Sequence, residues 1–209
     1  MGDSVGMYED ILAELARAAD VLKNGGVVAF PTDTVYGLGA RADNPAAVRR
    51  IFEIKERPLG QALPLLVSDA AQALSVAGDV SEVAQRLMVH FWPGALTLVM
   101  PCASWVPEVV TAGGSTIAVR VPAHLLTLHL IKAAGGPLIG TSANVHGRPS
   151  PVTAEEVWEQ LGGRVDLVVN GGHTPDGVES TIVDVTVDPP RILRQGMITS
   201  EDIKSIIEG

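Results

Sequence analysis

Short apolar runs, each closed by glycine or proline and separated by stretches of helical period, constrain the fold of this 209-residue chain most. Ile11, Leu12, Leu15, Ala19 and Leu22 recur at helical spacing and stop at Asn24-Gly25-Gly26, a helix C-terminal signal. Val27–Phe30 follows as a short buried strand closed by Pro31. Asn44-Pro45 opens a second helix, with proline at its first position and Val48, Ile51 and Phe52 on one face. Leu63–Val67 reads as a strand, and Ser68 and Ser81 as N-caps of two further helices. Strands are predicted over Leu96–Met100, Thr116–Val121, Leu138–Gly140, Leu167–Val169, Thr181–Val185 and Ile192–Arg194. Helices are predicted over Leu125–Ala134 and from Thr153 through Leu161, with a polar loop from Thr141 to Pro151. Thr199-Ser-Glu-Asp202 resembles a capping box ahead of a terminal helix. Strands alternate with helices early and cluster late. That order predicts a single α/β domain over 1–209, its core at about 10–200, built on a mixed sheet, with no additional C-terminal domain.

Hydrophobic residues make up 46% of the chain and charged residues 19%, enough for a large core and too apolar for global disorder. Aromatics contribute only 4%, so the core must be mostly Val, Ile, Leu and Ala. The formal net charge of −9 argues against electrostatic coating of nucleic acid, while leaving room for a local basic groove. Cys102 is the one cysteine, which excludes an intrachain disulfide and a cysteine-rich zinc site. Met1 to Asp10 carries Asp3, Glu9 and Asp10 and no basic residue, unlike a secretory signal. The longest apolar runs fall far short of the ~18 residues that span a bilayer. Together these features predict a soluble, cytoplasmic protein with no membrane partner.

Several motifs lead nowhere. Gly37-Leu-Gly39-Ala-Arg-Ala42 matches a dinucleotide fingerprint, but Pro31 to Tyr36 separate it from the strand and the next helix starts only near Pro45. No P-loop is present. The five histidines show neither H-E-x-x-H nor a ligand cluster, and Ser142 lacks the context of a nucleophile elbow.

Polar residues on strands are more informative. In Ser115–Pro122 the two-residue period sends Ile117, Val119 and Val121 to one face and Thr116, Ala118 and Arg120 to the other. That pattern puts one face on the core and the other on a wet cleft or on solvent. Glu179–Asp184 alternates likewise, with Ser180 on one side, and Arg191 and Arg194 flank two aliphatics. Lys55 and Arg57, two apart, either complement a helix dipole or throw both heads to one side as an anion clamp. Pro31–Gly37 and Thr141–Asn144 add hydroxyl-rich loops after strands. The combination suggests a pocket for small anionic ligands, such as a nucleotide plus a carboxylate.

The ordered set PTDTVYGLG, KERP, WPGALT, STIAVRVP, TSAN, ESTIVD and ILRQG resembles the YrdC family of threonylcarbamoyl-AMP synthases, over roughly residues 10 to 200. The resemblance implies an α/β domain whose twisted mixed sheet forms a concave cationic groove. It implies a reaction of L-threonine, bicarbonate and ATP that yields threonylcarbamoyl-AMP and pyrophosphate, with Mg2+ on the phosphates. A separate threonylcarbamoyl-transferase complex would then modify a tRNA adenosine. Carried over by position, Thr34, Arg120, Ser142 and Ser180 would meet threonine. Lys55, Arg57, Thr116, Asn144 and Arg194 would meet the nucleotide. No general base and no protein metal ligand is assigned, and catalysis is expected from positioning and charge neutralisation.

The chain departs from its relatives at Gln61-Ala62, where many have Asn or Lys and then Pro, and at Leu66, where longer ones have His. Ala95 and His146-Gly147 differ too. The rival expectations are a non-catalytic relative whose groove holds double-stranded RNA or tRNA, and a carbamoyl-transferring relative of the kind found within much larger chains.

Overall fold

The computed structural model describes residues 2–175 and 177–208, with side chains from Asp10 onward. The chain opens with α1 (Gly2–Lys23), closed by Gly25 at φ +82°, a backbone conformation that glycine adopts without strain. Next come β1 (Val28–Phe30), β2 (Gly37–Gly39) and α2 (Pro45–Lys55). Asn44 caps α2 by accepting from the Ala47 amide at 3.1 Å. Then follow β3 (Leu65–Leu66), α3 (Ala70–Val76), α4 (Glu82–Phe91), β4 (Leu96–Pro101), α5 (Glu108–Thr111), β5 (Thr116–Arg120), α6 (Leu125–Ala134), β6 (Leu138–Ile139) and β7 (Thr141–Ser142). The chain ends through α7 (Ala154–Leu161), β8 (Leu167–Val168), β9 (Thr181–Asp184), β10 (Arg191–Arg194) and α8 (Ser200–Glu208).

Three local expectations are corrected. Ser68 does not cap α3: Asp69 does, its carboxylate accepting from the Gln72 amide at 2.8 Å, while Ser68 Oγ donates to Asp69. The expected Thr141–Pro151 loop begins with a strand, and the loop read over Pro31–Gly37 gives way to a strand at Gly37–Gly39. The single expected sheet is two. One has the order β7-β2-β1-β8, the other β10-β9-β4-β5-β3-β6, and both mix parallel and antiparallel pairs. Ser81 and Thr153 cap α4 and α7 as expected, and Thr199 and Asp202 exchange the bonds of a capping box.

Strand parity divides the interior. Val27 and Ala29 enter the large core with the aliphatics of α2, β4 and β5, while Val28 and Phe30 face α1 and α6. The chain crosses between the sheets at Gly140, after β6 in one and before β7 in the other. A Cβ at Gly140 would fall 2.2 Å from Leu66 Cγ, so the crossing needs glycine. It brings the end of β7 opposite the exposed-side row of the larger sheet. Among the described residues no helix is long and apolar enough to cross a membrane.

Candidate functional site

A cleft of about 410 Å³ opens where the two sheets meet, a volume in the range of small-molecule sites. Its floor is one face of the larger sheet. Alternation places Thr97 and Val99 of β4, Ala118 and Arg120 of β5, and Ile182 of β9 on that face, while Leu96, Leu98, Ile117, Val119 and Val183 go to the core. The β1–β2 loop and the end of β7 supply the opposite wall with Thr34 and Ser142.

Arg194 reaches the floor through an irregularity. From Ile192, which packs against the core, simple alternation would send Arg194 the same way. A bulge intervenes: Ile192 pairs with Val183, but Arg194 pairs with Ile182, leaving Leu193 as the inserted residue. Arg194 therefore lies over the cleft face. Its Nε and Nη2 donate to the Ser180 carbonyl at 3.1 and 2.9 Å, and Nη1 pairs with Glu179, which also accepts from Ser150. Ser180 Oγ lies 2.8 Å from Thr97 Oγ1.

Arg120 is 6% exposed. Its Nε donates to the Gly94 carbonyl at 2.8 Å, Nη1 to Thr34 Oγ1 at 2.9 Å, and Nη2 to Asp33 Oδ1 at 2.6 Å. Burial pulls this guanidinium below its ordinary pKa, Asp33 opposes that pull, and Arg194 adds to it. A guanidinium has five N–H groups, so two remain without a protein acceptor among these bonds. Thr32 directs its hydroxyl proton to the Val35 carbonyl at 2.7 Å, so across the 3.0 Å Thr32–Thr34 contact Thr34 is the donor. Thr34 thus donates to Thr32, accepts from Arg120, and keeps one lone pair.

Lys55 differs from the clamp geometry considered for Lys-x-Arg. It ends α2, Glu56 turns left-handed at φ 52°, and Lys55 as a whole is 2% exposed. Nζ donates to the Ser142 carbonyl, to Asn144 O at 2.8 Å and to Asn144 Oδ1 at 2.9 Å. Asn144 Oδ1 also accepts from Ser142 Oγ at 2.6 Å. Lys55 therefore holds the Thr141–Asn144 segment from behind and does not line the cleft. Desolvation, with Arg57 nearby, lowers its pKa to about 7. Arg57 does line the cleft: Nη2 donates to Ala62 O at 3.1 Å, Nε is buried without a partner, and burial lowers its pKa. Among the described residues it forms no ion pair.

Six of the nine residues singled out from sequence thus line one cleft: Thr34, Arg57, Arg120, Ser142, Ser180 and Arg194. Lys55 and Asn144 sit behind its wall, and Thr116 shares the floor's parity one step beyond Ala118. Asp33, Thr97 and Glu179 were not singled out. Parity on Leu96–Met100, read as on Thr116–Val121, marks Thr97. Asp33 and Glu179 carry no local signal apart from standing beside Thr34 and Ser180. Among the described residues no group of three or more His, Cys, Asp or Glu is placed to hold a metal ion.

Residues 20–196 match the Sua5_yciO_yrdC family model, described as "Telomere recombination". A Bacillus subtilis protein named threonylcarbamoyl-AMP synthase is 47% identical over 198 residues, covering 93% of this chain and 56% of its own length. A Vibrio cholerae serotype O1 protein of the same name is 37% identical over 188 residues, covering 89% of this chain and 99% of its own. The crystal structure of Pyrococcus abyssi Sua5 complexed with L-threonine superposes with a TM-score of 0.91 at 44% identity, over 92% of this chain and 57% of that one. This chain thus spans just over half the length of the first and last of these proteins.

Proposed function

The chain belongs to the Sua5/YciO/YrdC family, and on that footing we propose that it is an L-threonylcarbamoyladenylate synthase, converting L-threonine, bicarbonate and ATP to threonylcarbamoyl-AMP and pyrophosphate. The observation that carries the reading is the pairing of Arg120, with two N–H groups to give, and Thr34, with a lone pair to give, in one cleft with Arg57 and Arg194. A guanidinium beside a hydroxyl acceptor matches the carboxylate and ammonium of an α-amino acid. Arginines on the same floor match phosphate.

In this reading Arg120 takes the threonine carboxylate, Thr34 accepts from its amine, and Ser142 and Ser180 contact the rest of the amino acid. Arg57, which has no acid partner among the described residues, and Arg194 take phosphates. Thr116 meets the nucleotide beyond the floor's centre. Lys55 and Asn144 act by fixing Ser142. Mg2+ arrives with ATP as part of that substrate.

The ammonium gives one proton to solvent, the amine nitrogen bonds to the bicarbonate carbon, and a second nitrogen proton leaves with the bicarbonate hydroxyl as water to give a carbamate. A carbamate oxygen then bonds to the α-phosphorus as the bond to the β-phosphoryl oxygen breaks and pyrophosphate departs. These residues contribute orientation and charge neutralisation rather than a positioned base. The product is an activated acyl group, so a downstream threonylcarbamoyl-transferase acting on tRNA is its natural consumer, in the cytoplasm.

Pyrophosphate release from ATP tests the proposal. Turnover that requires both L-threonine and bicarbonate supports it. Failure of either omission to lower the rate, or no turnover together with salt-sensitive binding of double-stranded RNA, would replace it with another reading.

A further inference from the structure

We propose that Asp33 is a positioning and specificity residue: through Arg120 it makes the cleft accept zwitterionic amino acids in preference to simple carboxylates, without touching the substrate. This deepens the threonine reading and rests on it.

Thr32 and Thr34 line the cleft, and Asp33 between them does not. Its carboxylate accepts instead from Arg120 Nη2 at 2.6 Å, the two side chains being 14% and 7% exposed. Asp33 is one of three anchors on that guanidinium, with the Gly94 carbonyl on Nε and Thr34 on Nη1. A planar fork held at all three nitrogens has no swing left, so its two remaining N–H groups already point where a ligand must meet them.

The second consequence is electrostatic. Arg120 and Asp33 together are neutral, and Arg194 and Glu179 form a second such pair. With Arg57, the remaining cleft arginine, committed to the ATP phosphates, a ligand bearing only a carboxylate would add an unbalanced negative charge to a desolvated site already holding an anion at 2.6 Å from the same guanidinium. An α-amino acid carries its own ammonium, for which Thr34 offers an acceptor. Neutralising the arginine in advance therefore discriminates between these ligand classes by charge.

The test compares L-threonine with the 2,3-dihydroxybutanoate of the same configuration, in which a hydroxyl replaces the amine. Both are titrated in the presence of ATP against wild type, Asp33→Asn and Asp33→Ala, after thermal melts establish that each variant is folded. Wild type should bind the hydroxy acid at least about tenfold more weakly than threonine. Asp33→Asn keeps the oxygen acceptor and removes the charge, so that ratio should narrow about tenfold while the threonine KM stays within a few-fold of wild type. Asp33→Ala also removes the anchor, and its threonine KM should rise about tenfold with the ATP KM unchanged. The ratio is read within one folded variant, so a general loss of stability does not move it. An unchanged ratio in Asp33→Asn, or equal rises in both KM values in Asp33→Ala, overturns the inference and leaves the threonine reading standing. If wild type binds no threonine, both fall.

Discussion

Arg120 and Lys55 are both buried cations singled out from sequence as ligand contacts, yet their surroundings give them opposite uses. Arg120 keeps two N–H groups for a ligand. Replacing it by lysine retains the charge and loses the fork. Arg120→Lys should raise the threonine KM about tenfold, equivalent to ~1.4 kcal/mol, and leave the ATP KM nearly unchanged. Arg57→Ala and Arg194→Ala should do the reverse, weakening ATP use by about 10- to 150-fold for loss of a charge-assisted contact of roughly 1.5–3 kcal/mol. Steady-state kinetics with each substrate varied in turn would separate them, and a matching loss for both substrates in all three variants would break the division of labour.

Lys55 binds protein oxygens instead. Lys55→Met should destabilise the fold by about 1–3 kcal/mol, because the oxygens of Ser142 and Asn144 lose their donor. Its proton linkage has a definite sign. A lysine pKa lowered to about 7 means that the folded state holds fewer protons than the unfolded one between about pH 7 and 10.5. Wild-type stability should therefore rise relative to Lys55→Met across that window, by at most about 1.4 kcal/mol per pH unit. The three oxygens around Nζ favour the charged form and reduce the slope. Denaturant unfolding of both proteins from pH 7 to 10 checks this, and a difference that is flat or falls with pH contradicts it.

At the scale of elements, β10 shows where simple alternation would misplace a residue that the motif finds. Alternation from Ile192 assigns Arg194 to the core side, and only the inserted Leu193 returns it to the cleft. Deleting Leu193 should restore regular pairing and leave Arg194 directly after Ile192, opposite Ile182 and still over the cleft, so that ATP use stays within a few-fold of wild type, unlike in Arg194→Ala, while the far-ultraviolet circular dichroism is retained. A deletion variant whose ATP use falls as far as in Arg194→Ala would mean that Leu193 is not the inserted residue that sets the arginine's direction.

Where local chemistry dictates structure, the elements were legible in sequence: Asn44-Pro45, Ser81, Thr153 and the Thr199–Asp202 box all start helices as read. What escaped depends on partners far along the chain. Gly37–Gly39 has too little side chain to signal a strand, and becomes one because β1 and β7 flank it. Thr141–Ser142 pairs with that same glycine strand. The parity of Thr116–Val121 was open in sequence because an isolated strand cannot say whether its polar face meets solvent or a second sheet. Asp33 was invisible for the same reason, since its partner lies 87 residues away.

At the scale of the molecule, the account rests on two sheets meeting so that one floor of alternating residues carries both an amino-acid site and a phosphate site. A protein of net charge −9 concentrates Arg57, Arg120 and Arg194 there, with Asp33 and Glu179 as counter-charges. Such a floor joins two ligands only if both are held at once, so the chemistry of the product tests it more directly than the affinity for either substrate. The decisive measurement is mass spectrometry of the nucleotide formed from ATP, L-threonine and 13C-bicarbonate. The account predicts one species holding AMP, one threonine and one labelled carbon, formed in step with pyrophosphate. AMP or ADP alone, or a threonine–AMP adduct without the labelled carbon, would contradict it.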